Sequence, residues 1–331
     1  MKKIIFANQL APKDGILRLH CLSHEAEHVK ADSFLLELDG MLWLIDGGVT
    51  GSKVTLDYLT ALRDSWLSGS ELEGENAPPL RLDWVVSHFH VDHVGAMISD
   101  ILPSGIVSLG TLYLPPDSAY TPPVGGRGVD GDEKFRPLLA EALEKYSVGE
   151  RIVNLSFGEE NVIDFTDPTG KLKFTLYPTP FDGGIGERLD YIINGYYGGD
   201  ATHKMVPVAA VNSNCSWLRV VYGETRFLFT GDLMKREAHL DNEATDEMVR
   251  TYGERIGKIN VLKYLHHGYK RDAAAPLMLS FKPEHIIVTS EAETASAAIL
   301  NFEGGDKVKV HNCSSRNILF SSDGKTISVS E

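Results

Sequence analysis

The sequence predicts an α/β fold. Three observations carry this. Apolar runs of strand length cluster in two halves of the chain, segments with helical apolar spacing lie between them, and several runs close on Asp, His and Gly. Of its 331 residues, 43% are hydrophobic and 24% charged, a globular balance that supplies a sizeable core. Length alone permits two domains. We expect one, residues 1–331, with an insertion around residues 183–210, because large α/β folds often run this long as one unit.

The elements follow in order. Residues 16–22 alternate as a strand, and Ser33-Phe34-Leu35-Leu36-Glu37-Leu38 runs into Asp39-Gly40, a hairpin turn signal. Met41-Leu42-Trp43-Leu44-Ile45 reads as a buried strand ending on Asp46-Gly47-Gly48. Residues 53–66 place Val54, Tyr58, Leu59, Leu62 and Trp66 on one helical side, and residues 69–79 are polar and Pro-containing, a loop. Leu82-Asp83-Trp84-Val85-Val86-Ser87 is another buried strand. A short strand at residues 111–114, a Gly-rich acidic loop at 125–132, a helix at 134–146 and two strands within 161–177 make up the middle. Residues 183–199 carry Gly and Tyr with no period. Residues 216–222 and 225–230 flank Gly223-Glu224 as a hairpin that ends on Gly231-Asp232. A helix at 246–256, a strand at 259–265 ending on His266-His267-Gly268, a strand at 285–289 and two terminal strands complete the pattern.

The formal charge of −14, from 46 acidic and 32 basic side chains, weighs against non-specific nucleic-acid binding, since an acidic surface repels a phosphate backbone. No apolar run is long enough to span a membrane, so no membrane partner is expected, and the oligomeric state is left open. The three cysteines, Cys21, Cys215 and Cys313, are scattered and odd in number, which fits a reducing cytoplasm.

The chemistry sits in Ser87-His88-Phe89-His90-Val91-Asp92-His93-Val94-Gly95. Imidazole and carboxylate together suit Zn²⁺, with Mn²⁺ or Fe²⁺ as alternatives. At an extended strand end His88 and His90 point the same way and can share one ion, because side chains repeat every second residue. Asp92 and His93, on the turn beyond, can reach a second, and Gly95 allows that turn to be tight. The bland alternative is a polar loop with chance histidines.

H-x-H-x-D-H after a buried strand resembles the metallo-β-lactamase superfamily, and the resemblance extends over most of the chain. Leu44-Ile45-Asp46-Gly47-Gly48, Phe229-Thr230-Gly231-Asp232 and His266-His267-Gly268 look like further motifs of that family, in the expected order. The resemblance implies a four-layer αββα sandwich. It implies two divalent ions, one held by His88, His90 and Asp232, the other by Asp92, His93, Asp232 and His267. Asp46 would orient a ligand from behind. It further implies a hydrolase that uses a hydroxide bridging the two ions, with Asp92 taking up the proton.

One departure stands out. Where the family has a further histidine before the strand leading to Gly-Asp, this chain reads Val211-Asn212-Ser213-Asn214-Cys215-Ser216. Asn212 and Asn214 either face the site or cap the turn before the strand. This segment, with Leu262-Lys263-Tyr264-Leu265-His266-His267-Gly268 and Ala31-Asp32-Ser33, resembles the branch of DNA-uptake protein domains and phosphorylcholine esterases, which points to a phosphodiester substrate. Tyr269 departs from that branch's serine. His267 is taken as the ligand and His266 as a substrate contact or proton donor, with the swap left open. Lys263 reads as an ion-pairing residue. A carboxylic ester, lactone or thioester substrate, or a binding module with a degraded site, are the alternatives. Redox chemistry at a di-iron site is disfavoured by the missing histidine. His20, His24 and His28, with Glu25 and Glu27, are read as a solvated loop, and Gly125-Gly126-x-Gly128 lacks the Lys of a phosphate loop.

Overall fold

The structure is a computed structural model that describes residues 5–24, 30–74, 77–117, 131–146, 151–180, 193–194, 198–201, 206–233, 242–268, 274–290, 299 and 305–331. Fifteen strands are described in two sheets. The first sheet holds β1 (Leu17–Cys21), β2 (Ser33–Leu38), β3 (Met41–Asp46), β4 (Leu80–Val85), β5 (Val107–Leu114), β6 (Arg151–Asn154), β14 (Ile318–Ser322) and β15 (Ile327–Ser330), in the order β15-β14-β1-β2-β3-β4-β5-β6. The second holds β7 (Ile163–Thr166), β8 (Leu172–Tyr177), β9 (Trp217–Tyr222), β10 (Thr225–Phe229), β11 (Val261–Lys263), β12 (His285–Val288) and β13 (Lys309–Asn312), in the order β13-β12-β11-β10-β9-β8-β7.

Strand alternation sorts the side chains into three apolar layers. On β3, Trp43 and Ile45 face the other sheet while Leu42 and Leu44 face outward. On β10, Phe227 and Phe229 face inward and Leu228 outward. The first sheet's outer face is covered by α1 (Val54–Leu67), α2 (Val91–Ala96) and α3 (Asp132–Tyr146). Of α1, Leu59 is buried and Tyr58, Leu62 and Trp66 pack on that layer, as their spacing predicts. The second sheet's outer face is covered by α5 (Asn242–Ile256), through Met248, Tyr252 and Ile256, and by α6 (Ala275–Ser280). A shorter helix, α4 (Val206–Asn212), precedes β9. The result is the four-layer αββα sandwich.

Several elements differ from the sequence reading. β6 was not expected, and three strands rather than two close the chain. The strand expected at 259–265 is only Val261–Lys263, because the chain leaves the sheet in a 3-10 turn, Leu265–Gly268, that carries the two histidines. His20 and His24 are not solvated. His20 is buried on β1, 3.1 Å from Glu37 Oε2 and 2.6 Å from the Tyr58 hydroxyl, and His24 Nδ1 lies 3.0 Å from Ser52 Oγ. Partners from β2, α1 and the segment before α1 make their burial affordable. His28, Glu25, Glu27, the Gly125–Gly128 segment, Tyr269 and most of the expected insertion, including Tyr191, Tyr196, Tyr197 and His203, lie outside the described residues, as does His239. No described helix is long and apolar enough to cross a membrane.

Candidate metal centre

β3 pairs in parallel with β4, Ile45 opposite Val85, and β10 pairs in parallel with β11, Phe229 opposite Lys263. These registers bring Asp46, the His88 segment, Asp232 and the His266-His267 turn to the same end of the two sheets. That end, outside the carboxyl ends of parallel strands, is where open α/β sheets bind ligands. Backbone bonds knit the loops together: Ser216 N–H donates to Ser87 O (3.0 Å), His266 N–H to Gly231 O (3.1 Å), Asp32 N–H to Asp92 O (3.1 Å) and Thr289 N–H to His267 O (3.1 Å). Gly231 has φ +55°, and a Cβ there would press on Cys215 and Ser87 at about 3.1–3.2 Å, so glycine lets the two sheets' loops meet.

The first-half residues do not sit quite as the pattern suggests. His90 is the N-cap of α2, so Asp92 and His93 lie in a helical first turn, where a carboxylate also favours the helix dipole. Gly95 is helical too. Its need is close approach, since a Cβ there would sit 2.4 Å from Thr50 Oγ1 and 2.5 Å from Thr50 N.

Asp232 Oδ2 is the centre of the cluster. It lies 3.0 Å from His267 Nε2, 3.3 Å from His93 Nε2 and 3.9 Å from His266 Nε2. Asp92 Oδ2 is 3.2 Å from His267 Nε2, and Asp92 Oδ1 is 4.0 Å from His93 Nε2. The rings of His88 and His93 are 4.1 Å apart, and His88 Nε2 is 3.0 Å from His90 Nδ1. Seven expected residues thus converge: His88, His90, Asp92, His93, Asp232, His266 and His267. Both histidines of the turn adopt left-handed backbone, His266 at φ 42° and His267 at φ 59°. Such residues cost of order 1–3 kcal/mol each and persist where surroundings over-determine them. Here the strain swings both imidazoles toward one carboxylate.

Behind the cluster, carboxylates set the ring orientations. Asp46 Oδ2 accepts from His93 Nδ1 (2.8 Å) and Ser87 Oγ (2.9 Å), and Asp46 Oδ1 from Ser87 N–H (2.8 Å). Asp32 Oδ1 faces His267 Nδ1 at 3.0 Å and accepts from Thr289 Oγ1 at 2.6 Å. With Nδ1 carrying the hydrogen, each ring presents the Nε2 lone pair to the centre. Lys263, 1% exposed, pairs with Asp32 Oδ2 at 2.5 Å and Asp232 Oδ1 at 3.2 Å. Sequence reasoning placed Asp32 only in a resembling segment and Lys263 only as a generic ion pair. The available signal was a lysine inside the apolar run Val261-Leu262-Lys263-Tyr264-Leu265, which demands a buried counter-charge.

The electrostatics suit a cation. Burial disfavours a charged His93, yet Asp232, Asp46 and Asp92 overcome it and hold its pKa well above the usual imidazole value. His267 is held up in the same way by Asp232 and Asp32. Burial would raise Asp232, but His267, His93 and Lys263 keep it well below the carboxylate range. His88 and His266, by contrast, are pushed down by burial, His266 to about 3. Four buried or nearly buried carboxylates, Asp32, Asp46, Asp92 and Asp232, face one lysine and the imidazoles. Asp32, His93, Asp232 and His267 offer ligand atoms all within 4.8 Å of one another, a group able to hold a metal ion. This donor set fits a divalent ion of the zinc type.

Asn212 ends α4 and Asn214 follows it. Asn214 Nδ2 donates to Pro116 O (2.6 Å), beside the Arg136 guanidinium, which donates to Pro115 O and Pro116 O. Both amide atoms of Asn212 are buried with no hydrogen-bond partner among the described residues. Cys215 Sγ accepts from Asp232 N–H at 3.1 Å, so this segment abuts the centre.

No family model matches the chain, and no curated protein matches it. Among solved structures it is similar to the metallo-β-lactamase fold protein YhfI from Bacillus subtilis, at 10% identity over 95% of this chain and 99% of that one, with a TM-score of 0.48. It is similar to Tm1679, a metal-dependent hydrolase of the β-lactamase superfamily, at 15% identity over 91% and 98%, with a TM-score of 0.48. It is also similar to Zn²⁺-bound PqqB from Methylobacterium extorquens, at 13% identity over 90% of each chain, with a TM-score of 0.42. These neighbours do not reach to the narrower DNA-uptake and phosphorylcholine esterase branch. The fold assignment stands on the two sheets and their flanking helices described above.

Proposed function

We propose that the chain is a hydrolase that works with two divalent metal ions, Zn²⁺ first, on a phosphodiester. The observation that carries the reading is the convergence of His93 and His267 on Asp232 Oδ2, with Asp92 against His267 and the His88–His90 pair against the His93 ring. His88, His90 and Asp232 would hold one ion, and Asp92, His93, Asp232 and His267 the other. His267 is the better ligand of the adjacent pair, because Asp32 and Thr289 fix its Nδ1 and leave Nε2 inward. Such ions, when bound, lower the pKa of water and polarise a phosphoryl oxygen.

The chain's own groups divide the remaining work. Asp92, the most exposed of the four carboxylates, is placed to accept a proton from the attacking water. His266, neutral near pH 7 and partly open to solvent, can donate a hydrogen bond to a non-bridging oxygen or to the leaving group. Asn212 has its whole amide unpartnered and can serve the same oxygen. Asn214 is tied to Pro116 and acts as a strut. The resemblance of residues 212–216 and 262–268 to phosphodiester-cleaving proteins supports the substrate class.

The test is a panel of bis-aryl phosphates, phosphonate esters, lactones and single-stranded DNA, assayed on protein loaded with Zn²⁺ or Mn²⁺. We expect about two ions per chain, turnover of a phosphodiester, and a loss on the order of 10²–10³-fold or more in Asp92→Ala and Asp232→Ala. Lactone or thioester turnover alone would move the substrate class to carboxylic esters. A wild-type protein that takes up no metal would make it a binding module, and Asn212 in place of a histidine is the feature that would explain that result.

A further inference from the structure

β11 has three residues, and alternation turns Val261 and Lys263 toward the other sheet and Leu262 away from it. Lys263 therefore enters the inter-sheet layer directly beneath the metal centre. An ammonium has three hydrogens. Here two are donated, to Gly231 O at 2.8 Å and Asp232 Oδ1 at 3.2 Å, and the charge pairs with Asp32 Oδ2 at 2.5 Å. The side chain is 1% exposed and its ammonium is held by these three buried groups, so Lys263 is not a group that touches the reacting atoms.

Its contacts run to the ligands. By holding Asp232 Oδ1, it leaves Oδ2 as the oxygen that faces His93, His266 and His267. By holding Asp32 Oδ2, it leaves Asp32 Oδ1 for His267 Nδ1 and Thr289. Both oxygens of Asp32 are thereby engaged, which places it behind the ligands although it lies within reach of the same ion.

We propose that Lys263 is a positioning residue of the metal centre, selecting which oxygen of Asp232 and, through Asp32, which nitrogen of His267 face the ions. The inference rests on the two-metal reading above. The rival role is a plain staple, since Asp32 precedes a strand of the first sheet and Lys263 belongs to the second.

Metal-free wild type and Lys263→Met are titrated with Zn²⁺ against a chromophoric chelator, and the thermal midpoint of each is measured with and without Zn²⁺. Positioning predicts that Zn²⁺ affinity at the His93–His267 side falls about 10–100-fold. It also predicts a smaller Zn²⁺-induced rise in midpoint and an altered absorption spectrum of the Co²⁺-loaded variant. A staple predicts a lower midpoint in the metal-free protein with affinity, Zn²⁺-induced rise and Co²⁺ spectrum unchanged, and that result overturns the proposal. If Lys263→Met does not fold, Lys263→Gln, near in length and still able to donate but without the charge that holds Asp32 Oδ2 and Asp232 Oδ1, decides the matter by the same titration. Unchanged Zn²⁺ affinity there overturns it equally. Wild-type protein that binds no Zn²⁺ fails earlier, and removes the two-metal reading itself.

Discussion

On one side of Asp232, His93 and His267 each direct Nδ1 at a buried carboxylate, Asp46 at 2.8 Å and Asp32 at 3.0 Å. His88 and His90 instead lie against each other, Nε2 to Nδ1 at 3.0 Å, and His88 Nδ1 faces the Ser87 hydroxyl at 3.0 Å rather than a carboxylate. The difference shows two degrees of pre-organisation in one centre. Carboxylate-backed imidazoles are oriented before any ion arrives and are more basic. The His88–His90 pair must first give up its mutual bond, and where the resembling family has a further histidine along the chain this sequence has Asn212, whose buried amide has no hydrogen-bond partner among the described residues.

The comparison can be broken at its strong side first. Asp46→Ala leaves His93 free to rotate and should weaken Zn²⁺ binding at that side about 10–100-fold, with the His88–His90 side little changed. Stepwise Zn²⁺ titration resolves the two events, and equal losses at both would erase the distinction. The weak side can be strengthened next. Asn212→His supplies the imidazole that the resembling family carries, and should tighten the first ion roughly tenfold, about 1.4 kcal/mol. An unchanged isotherm would mean that residue 212 does not face the ion.

The smallest effect comes from a second imidazole pair, remote from the centre. His285 Nδ1 lies 2.9 Å from His311 Nε2, and His311 Nδ1 lies 3.4 Å from Glu331 Oε1. Burial, then the charges of His311 and Lys309, push His285 down to about 4 from 6.5, against a weaker upward pull from Glu284. Between those values the unfolded chain binds more protons than the folded one. The stability held above pH 6.5 is therefore lost as pH falls toward 4. His285→Gln should make that acid-side slope shallower by a fraction of a proton, read from denaturant midpoints at pH 4.5–7. A slope identical to wild type would show that the His285–His311 pair carries no titration penalty.

Much of this molecule can be read along the chain. The apolar runs mark the strands because burial on both faces leaves little room for polar side chains. The density of His88, His90, Asp92 and His93 marks the site because one turn of backbone can present four ligands without help from distant residues. Asp232 and His267 follow from strands that end on Gly-Asp and His-His-Gly. Local pattern failed wherever the partner is far away. His20 and His24 look solvated until Glu37, Tyr58 and Ser52 are brought to them. Gly95 looks like a turn until Thr50 is seen against it. Nor does local pattern report that β14 pairs with β1, 297 residues away at Cys21↔Ile318.

The types and order of the ligands are thus a property of the sequence, since they depend on residue chemistry and strand periodicity. Which atoms face inward is not. That depends on Asp32 meeting His267 across 235 positions and Lys263 meeting both Asp32 and Asp232, contacts that exist only once the two sheets pack. Hydrogen bonds between buried charges act over a few ångströms, and no spacing rule along a chain reports which residues tertiary packing will bring that close.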